Sequence, residues 1–234
     1  MGEGMRMTHR ISYGVAFLLA AVGPVHAADT KATYPAMAPV AQYMMASSDE
    51  IALARSSAPA SISNDAEILT LTSHGYETAV KGKNGFVCLV ERSWESGFDD
   101  PGFWNFNIRG PLCLNPPAVR TILPAARERA SWALAGLSRE EIAKRVKASP
   151  VANAVPEPGA MSYMMSKQGY LSDTGRHWHP HLMFWFARSA TPNWGGDLAG
   201  TPVLIAPGDT GPITTVFVLV PKWSDGTSAM EMHS

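Results

Sequence analysis

Three histidines fall within five residues in the run HWHPH: His177, His179 and His181. Neutral imidazole is the commonest side-chain ligand of transition metals, and in an oxidising compartment it is a safer ligand than thiolate. Seven histidines in 234 residues correspond to about 3% per position, so this spacing arises by chance in roughly one such chain in two hundred. The run therefore points to a metal site. On an extended strand alternate side chains share a face, which sets the three imidazoles on one side and Trp178 and Pro180 on the other. Strand residues i and i+4 lie about 13 Å apart, whereas zinc ligands each sit about 2 Å from the metal. Two neighbouring histidines can converge, and the third needs a bend. Pro180 can supply it, because it lacks an N–H and restricts His179 to extended conformations. The expected site is zinc or another transition metal on His177, His179 and His181, with His74 or Asp173 completing the set and metal-dependent hydrolysis as the reaction class. The competing reading is a polar strand end whose histidines only hydrogen-bond, in a protein that binds a small molecule or is structural and uses no metal.

Other residues carry weaker signals. Met230, Met232 and His233 in the tail would suit copper(I), although the methionines of SYMMS are better read as core. Seven large aromatics, Phe98, Phe103, Trp104, Phe106, Trp178, Trp185 and Trp194, could line a small-molecule pocket. There is no Gly-x-Ser-x-Gly elbow and no phosphate-cradling glycine motif. Asp99 and Asp100 precede Pro-Gly and read as turn residues. Glu91, Arg92 and Glu95, around Trp94, read as a solvated strand end.

Three metal families with similar runs fail on named positions. Cupins follow His-x-His with a glutamate, but the residues after His181 are LMFWFA. The JAMM metallo-isopeptidases, counted from His179 and His181, find Ser189 in place but Pro192 where an aspartate ligand belongs. The α-carbonic anhydrases need a third histidine on a second strand, and none is offered. More broadly, NGFVCLVERSW, HWHPH and PKWSDGT resemble segments of an exported bacterial protein family without a known activity. That resemblance spans most of the chain and implies no reaction.

The elements that must position these residues follow from periodicity. PVAQYMMASSDEIALAR predicts a helix over 39–55. Alternation predicts strands near 67–73, 76–81 and 85–92, the last two joined by a hairpin at Asn84-Gly85. The stretch ESGFDDPGFWNFNIRGPLCLNPP is so rich in Gly, Pro and Asn that a packed loop is expected. Helices follow over 117–136, with Pro124 starting a new segment and Gly136 as a stop, and after Ser138, where SREE is a capping box. Strands are expected again in AMSYMMS, HWHPHLMFWFA, TPVLIAP and TTVFVLVP. Strands, helices, then strands predict an α+β fold, a mainly antiparallel sheet with two or three helices packed against it.

Compartment is read from the N-terminus. Arg6 and Arg10, the apolar run ISYGVAFLLAAVG and VHA before Ala28 fit a signal peptide over 1–27, too short in its apolar part to span a bilayer. Residues 28–234 are then one exported domain, periplasmic or secreted, with no membrane span. It holds 17 basic and 19 acidic residues without a long charged run, which argues against nucleic acid and leaves an unidentified small molecule as the partner class. In an oxidising compartment Cys88 and Cys113, the only cysteines, are expected to pair.

Overall fold

The computed structural model describes residues 34–173, 178–207 and 212–229. The fold is α+β. Its strands are β1 (Glu67–Thr72), β2 (Gly75–Val80), β3 (Val87–Glu91), β4 (Gly110–Leu114), β5 (Met161–Met164), β6 (His181–Ala187), β7 (Val203–Pro207) and β8 (Ile213–Leu219). They form one sheet in the order β2-β1-β3-β4-β5-β6-β8-β7. Every neighbouring pair is antiparallel except β1 and β3. The helices are α1 (Ser47–Arg55), α2 (Ala60–Ser63), α3 (Pro116–Thr121), α4 (Leu123–Leu134) and α5 (Arg139–Ala148). No described helix is long and apolar enough to cross a membrane.

The sheet separates two apolar layers. Leu69, Leu89, Leu112, Leu114, Met164 and Met183 pack on one face with Leu123, Ala130, Ala133 and Ile142 from α4 and α5. Ile68, Cys88, Val90 and Cys113 face the other way, with Ala54 of α1. Alternation along VCLVE thus sends Cys88 and Val90 towards α1, and Val87, Leu89 and Glu91 towards α4. Cys88 and Cys113 are directly opposed across β3 and β4 and form a disulfide. Both are fully buried.

Helix boundaries follow local chemistry. The Ser138 hydroxyl accepts the Glu141 N–H at 3.2 Å, and the Glu141 carboxylate accepts the Ser138 N–H at 2.8 Å, so the expected capping box is formed. Pro124 lies in the first turn of α4, where its missing N–H costs nothing, and Gly136 follows the helix at φ 77°. The helix expected over 39–55 is instead a 3-10 turn at Val40–Tyr43 followed by α1, with extended backbone at Met44 and Ala46. Tyr43 is held apart from α1 by its buried hydroxyl, which donates to the Trp104 carbonyl at 2.9 Å.

Two strand expectations are corrected. The hairpin at Asn84-Gly85 does not form, because β2 and β3 lie on opposite sides of β1. The Asp65 carbonyl accepts the N–H groups of Lys83 and Asn84, and the Asn84 side chain donates to the Ile62 carbonyl. The Asn-Gly turn is thereby tied to the residues entering β1, and the chain passes to the free edge of β1 rather than back along β2. The hairpin that does form joins β1 and β2 through Ser73 and His74, closing on Gly75 at φ 122°. The second correction is β4, an interior strand within the stretch expected to be a loop. Pro111 is tolerated there because the ladder to β5 involves only Cys113 and Leu114, so no partner is waiting for its missing N–H.

Candidate functional site

The structure splits the HWHPH run. His177 lies outside the described residues. β6 begins only at His181, so the alternation expected to align the histidines does not extend back to His179. Pro180 has no N–H to continue the ladder, and its carbonyl accepts the Val220 N–H as the last link. His179 is exposed and His181 is 9% exposed. The His181 Nδ1 lies 2.8 Å from the His179 carbonyl. A carbonyl only accepts, so Nδ1 carries the proton and Nε2 holds the lone pair. That Nε2 is buried and has no hydrogen-bond partner. Burial lowers the His181 pKa, with the backbone hydrogen bond opposing, so the ring is neutral near pH 7. Trp178 stands edge-on to His181, with centroids 5.4 Å apart, and contacts Trp223 at 6.2 Å.

Asp173 accepts from Asn105 and from the Tyr170 hydroxyl on Oδ1, at 2.9 and 2.6 Å, and from the Tyr34 hydroxyl on Oδ2 at 2.7 Å. The bond to Asp173 pushes the Tyr170 phenol up to about 12. His74 is exposed in the β1–β2 turn, separated from β6 by β3, β4 and β5. Among the described residues no group of three or more His, Cys, Asp or Glu is arranged to hold a metal ion. Met230, Met232 and His233 lie outside the described residues.

A different constellation converges on the α4 face of the sheet. Glu91 ends β3 with its side chain towards α4, and Glu95 closes the 3-10 turn Ser93–Glu95. Both line a cavity of about 310 Å³ with Arg129, Ala125 and Ala126 of α4, Met183 and Trp185 of β6, and Thr215 and Phe217 of β8. The alanines leave the space, since longer side chains at those positions would fill it. Sheet register gives the cavity a long axis. Glu91 pairs with Gly110 at one end of β4. At the other end, Leu114, Ser162, Met183 and Phe217 form one cross-strand row. The carboxyl end and the apolar end therefore differ by four residues along the strand direction and lie on different strands, β3 against β6 and β8.

The carboxyl end is electrostatically unusual. Burial, then the charge of Glu95, pushes the Glu91 carboxyl up to about 8, with Arg129 opposing. Burial pushes Glu95 up to about 7, again against Arg129. Both side chains are half-buried, and the surface they retain faces the cavity. The Arg129 guanidinium stacks 4.3 Å from the Phe98 ring centroid and donates to the Ser96 carbonyl. Glu95 Oε1 is buried without a hydrogen-bond partner. Two carboxyls titrating near neutrality beside an apolar wall can hold a donor-bearing ligand or exchange protons with it. A surface depression of about 390 Å³ beside Ser138 and Glu141 lacks this character, because its capping groups already satisfy one another.

Sequence reasoning missed this site. Glu91, Arg92 and Glu95 are not a solvated strand end: Arg92 is 1% exposed and pairs with the equally buried Glu50 at 2.8 Å. The available signal was the phase of VCLVE, which puts Glu91 on the same inward face as Val87 and Leu89. Of the aromatics expected to line a pocket, Trp185 lines this cavity, Phe98 and Phe103 stack on Arg129, and Trp194 is 43% exposed. No protein-family model matches the chain, and neither a curated protein nor a solved structure matches it.

Proposed function

We propose that this is an exported protein that binds a small amphiphilic organic molecule without catalysis, in the cleft between α4 and strands β3, β6 and β8. One observation carries the reading: a ligand-sized cavity lined by a carboxyl pair on β3 and the turn after it and by Met183, Trp185 and Phe217 on β6 and β8. The Cys88–Cys113 disulfide is compatible with export. The test is titration with the neutral apolar fluorophore N-phenyl-1-naphthylamine. The wild-type chain should enhance its emission saturably, and Ala125→Phe, which fills the cleft, should abolish the enhancement while keeping the urea midpoint. Equal enhancement by both proteins would overturn the reading.

A second reading is a transition-metal site, zinc first, built on His177, His179 and His181 with Asp173 as a further ligand, serving as a hydrolase centre in its catalytic form. It is supported by the tautomer of His181, whose Nδ1–H is held by a backbone carbonyl while Nε2 is left with a lone pair, the usual second-sphere arrangement of a ligating histidine. Tag-free protein should then contain stoichiometric metal that Asn replacement of His179 and His181 removes. Unchanged metal content, or none in the wild type, would reject it.

A further inference from the structure

The polar end of the cleft specifies the chemistry of a ligand's head group, an inference that rests on the cleft reading. This end presents acceptors. Glu91 and Glu95 contribute carboxyl oxygens, and Glu95 Oε1 is buried with no donor. Among the described residues, the one cationic side chain lining the cleft is Arg129, and it is already engaged, stacked on Phe98 and donating to Ser96. A ligand that brings N–H donors pairs with the carboxyl groups that line the cavity. A ligand carboxylate would set a third acid beside two. The remaining walls agree, because Ile122, Ala125 and Ala126 offer apolar surface to the rest of such a ligand.

We propose that the cleft binds small primary amines with an aromatic or branched apolar body, the ammonium held by Glu91 and Glu95 and the body lying along the α4 wall at Ile122, Ala125 and Ala126. Ammonium binding requires ionised carboxylates, and burial keeps both partly protonated at neutral pH. Capture of the amine therefore expels a proton. The titratable groups that face this pair are Arg129 on α4 and, on the same face of the sheet, Tyr76 on β2, whose phenol is itself raised mainly by burial and carries charge interactions with Arg92, Glu95, Glu91 and Glu50. The residues that β6, β8 and α5 contribute to the lining, Met183, Trp185, Thr215, Phe217 and Val146, do not titrate.

Calorimetric titration of the full chain at pH 7, in HEPES and in phosphate, compares three probes with one body: 2-phenylethylamine, 2-phenylethanol and 3-phenylpropanoate. The amine should bind at least about tenfold more tightly than either of the others and release about one proton, seen as a buffer-dependent heat. Glu95→Gln, which keeps the shape, should lose that preference and part of the proton release while still binding N-phenyl-1-naphthylamine. Alcohol or acid binding as tightly as the amine, or proton uptake on amine binding, overturns the amine assignment and leaves the cleft reading standing. Failure of all three probes while the fluorophore binds does the same. Failure of the fluorophore as well removes both.

Discussion

Replacing Arg92 by methionine tests whether the segment carrying Glu91 and Glu95 is pinned from behind by a buried ion pair. Arg92 donates Nε to the Tyr43 carbonyl at 2.8 Å, Nη1 to the Val90 carbonyl and Nη2 to Glu50 Oε1 at 2.8 Å. The two charged side chains are 0% and 1% exposed. Methionine has nearly the same reach and no donors, so Glu50 would keep only the Leu71 N–H at 3.2 Å. Breaking a buried pair by removing one partner costs about 3–5 kcal/mol. A domain of this size loses about 2–4 °C of Tm per kcal/mol, which makes the expected drop about 6–20 °C. The assay is urea unfolding followed by tryptophan fluorescence, with Glu50→Leu and the double variant completing a cycle. Because replacing both charges by apolar groups removes the uncompensated carboxylate, the double variant should be more stable than R92M alone by about 2 kcal/mol. A cost below about 1 kcal/mol for R92M, or a double variant at the sum of the two singles, would refute the idea that this pair fixes the strand end.

Three further outcomes follow from the geometry. Glu91 and Glu95 titrate at about 8 and about 7 against an ordinary 4.5, so the folded protein retains protons that the unfolded chain has released, and stability should fall as pH rises from about 5 to 8. The window is best read between pH 7 and 9, clear of His181, whose lowered pKa works in the opposite sense by withdrawing stability as pH falls below 6.5. A urea midpoint equally pH-dependent in the E91Q/E95Q double variant would contradict the assignment. Replacing both Cys88 and Cys113 with serine opens a loop of sequence separation 25 and should cost about 3 kcal/mol in equilibrium unfolding; an unchanged midpoint would show that the bridge contributes nothing. Ser138→Ala removes the hydroxyl that accepts the Glu141 N–H and should cost about 1 kcal/mol in the same measurement, with a loss below a few tenths counting against the cap.

Much of the fold was legible because its signals are local. The capping box, the restart at Pro124, the stop at Gly136 and the alternation of the strands all depend on residues within one turn or one strand of each other. The α+β class follows from their order. Strand adjacency did not follow. Asn84-Gly85 has the right chemistry for a tight turn, but a turn says nothing about which edge of β1 is vacant, and contacts to Asp65 and Ile62 decide that. Likewise GPLCL reads as loop because glycine and proline weaken an isolated strand, whereas here β3 and the cystine partner Cys88 hold it in the sheet.

The candidate site inverts the ranking that residue types suggest. HWHPH stands out in one dimension because histidine is rare, yet burial divides it, leaving His179 exposed and seating His181 against Trp178 and Phe217. Glu91 and Glu95 are unremarkable in the sequence because an acid beside a strand is usually hydrated. Their chemistry is created by tertiary structure: the phase of β3 turns Glu91 inward, the 3-10 turn brings Glu95 to the same wall, and Ala125 and Ala126 leave a cavity beside them. Desolvation is the largest cause of both shifts, and desolvation depends on α4, β6 and β8, which lie between about 30 and 125 residues further along the chain. What the sequence does offer is the phase of an apolar run. An acid that falls on the inward face of such a strand must be paired, protonated or used, and each of those fates leaves a measurable pH dependence.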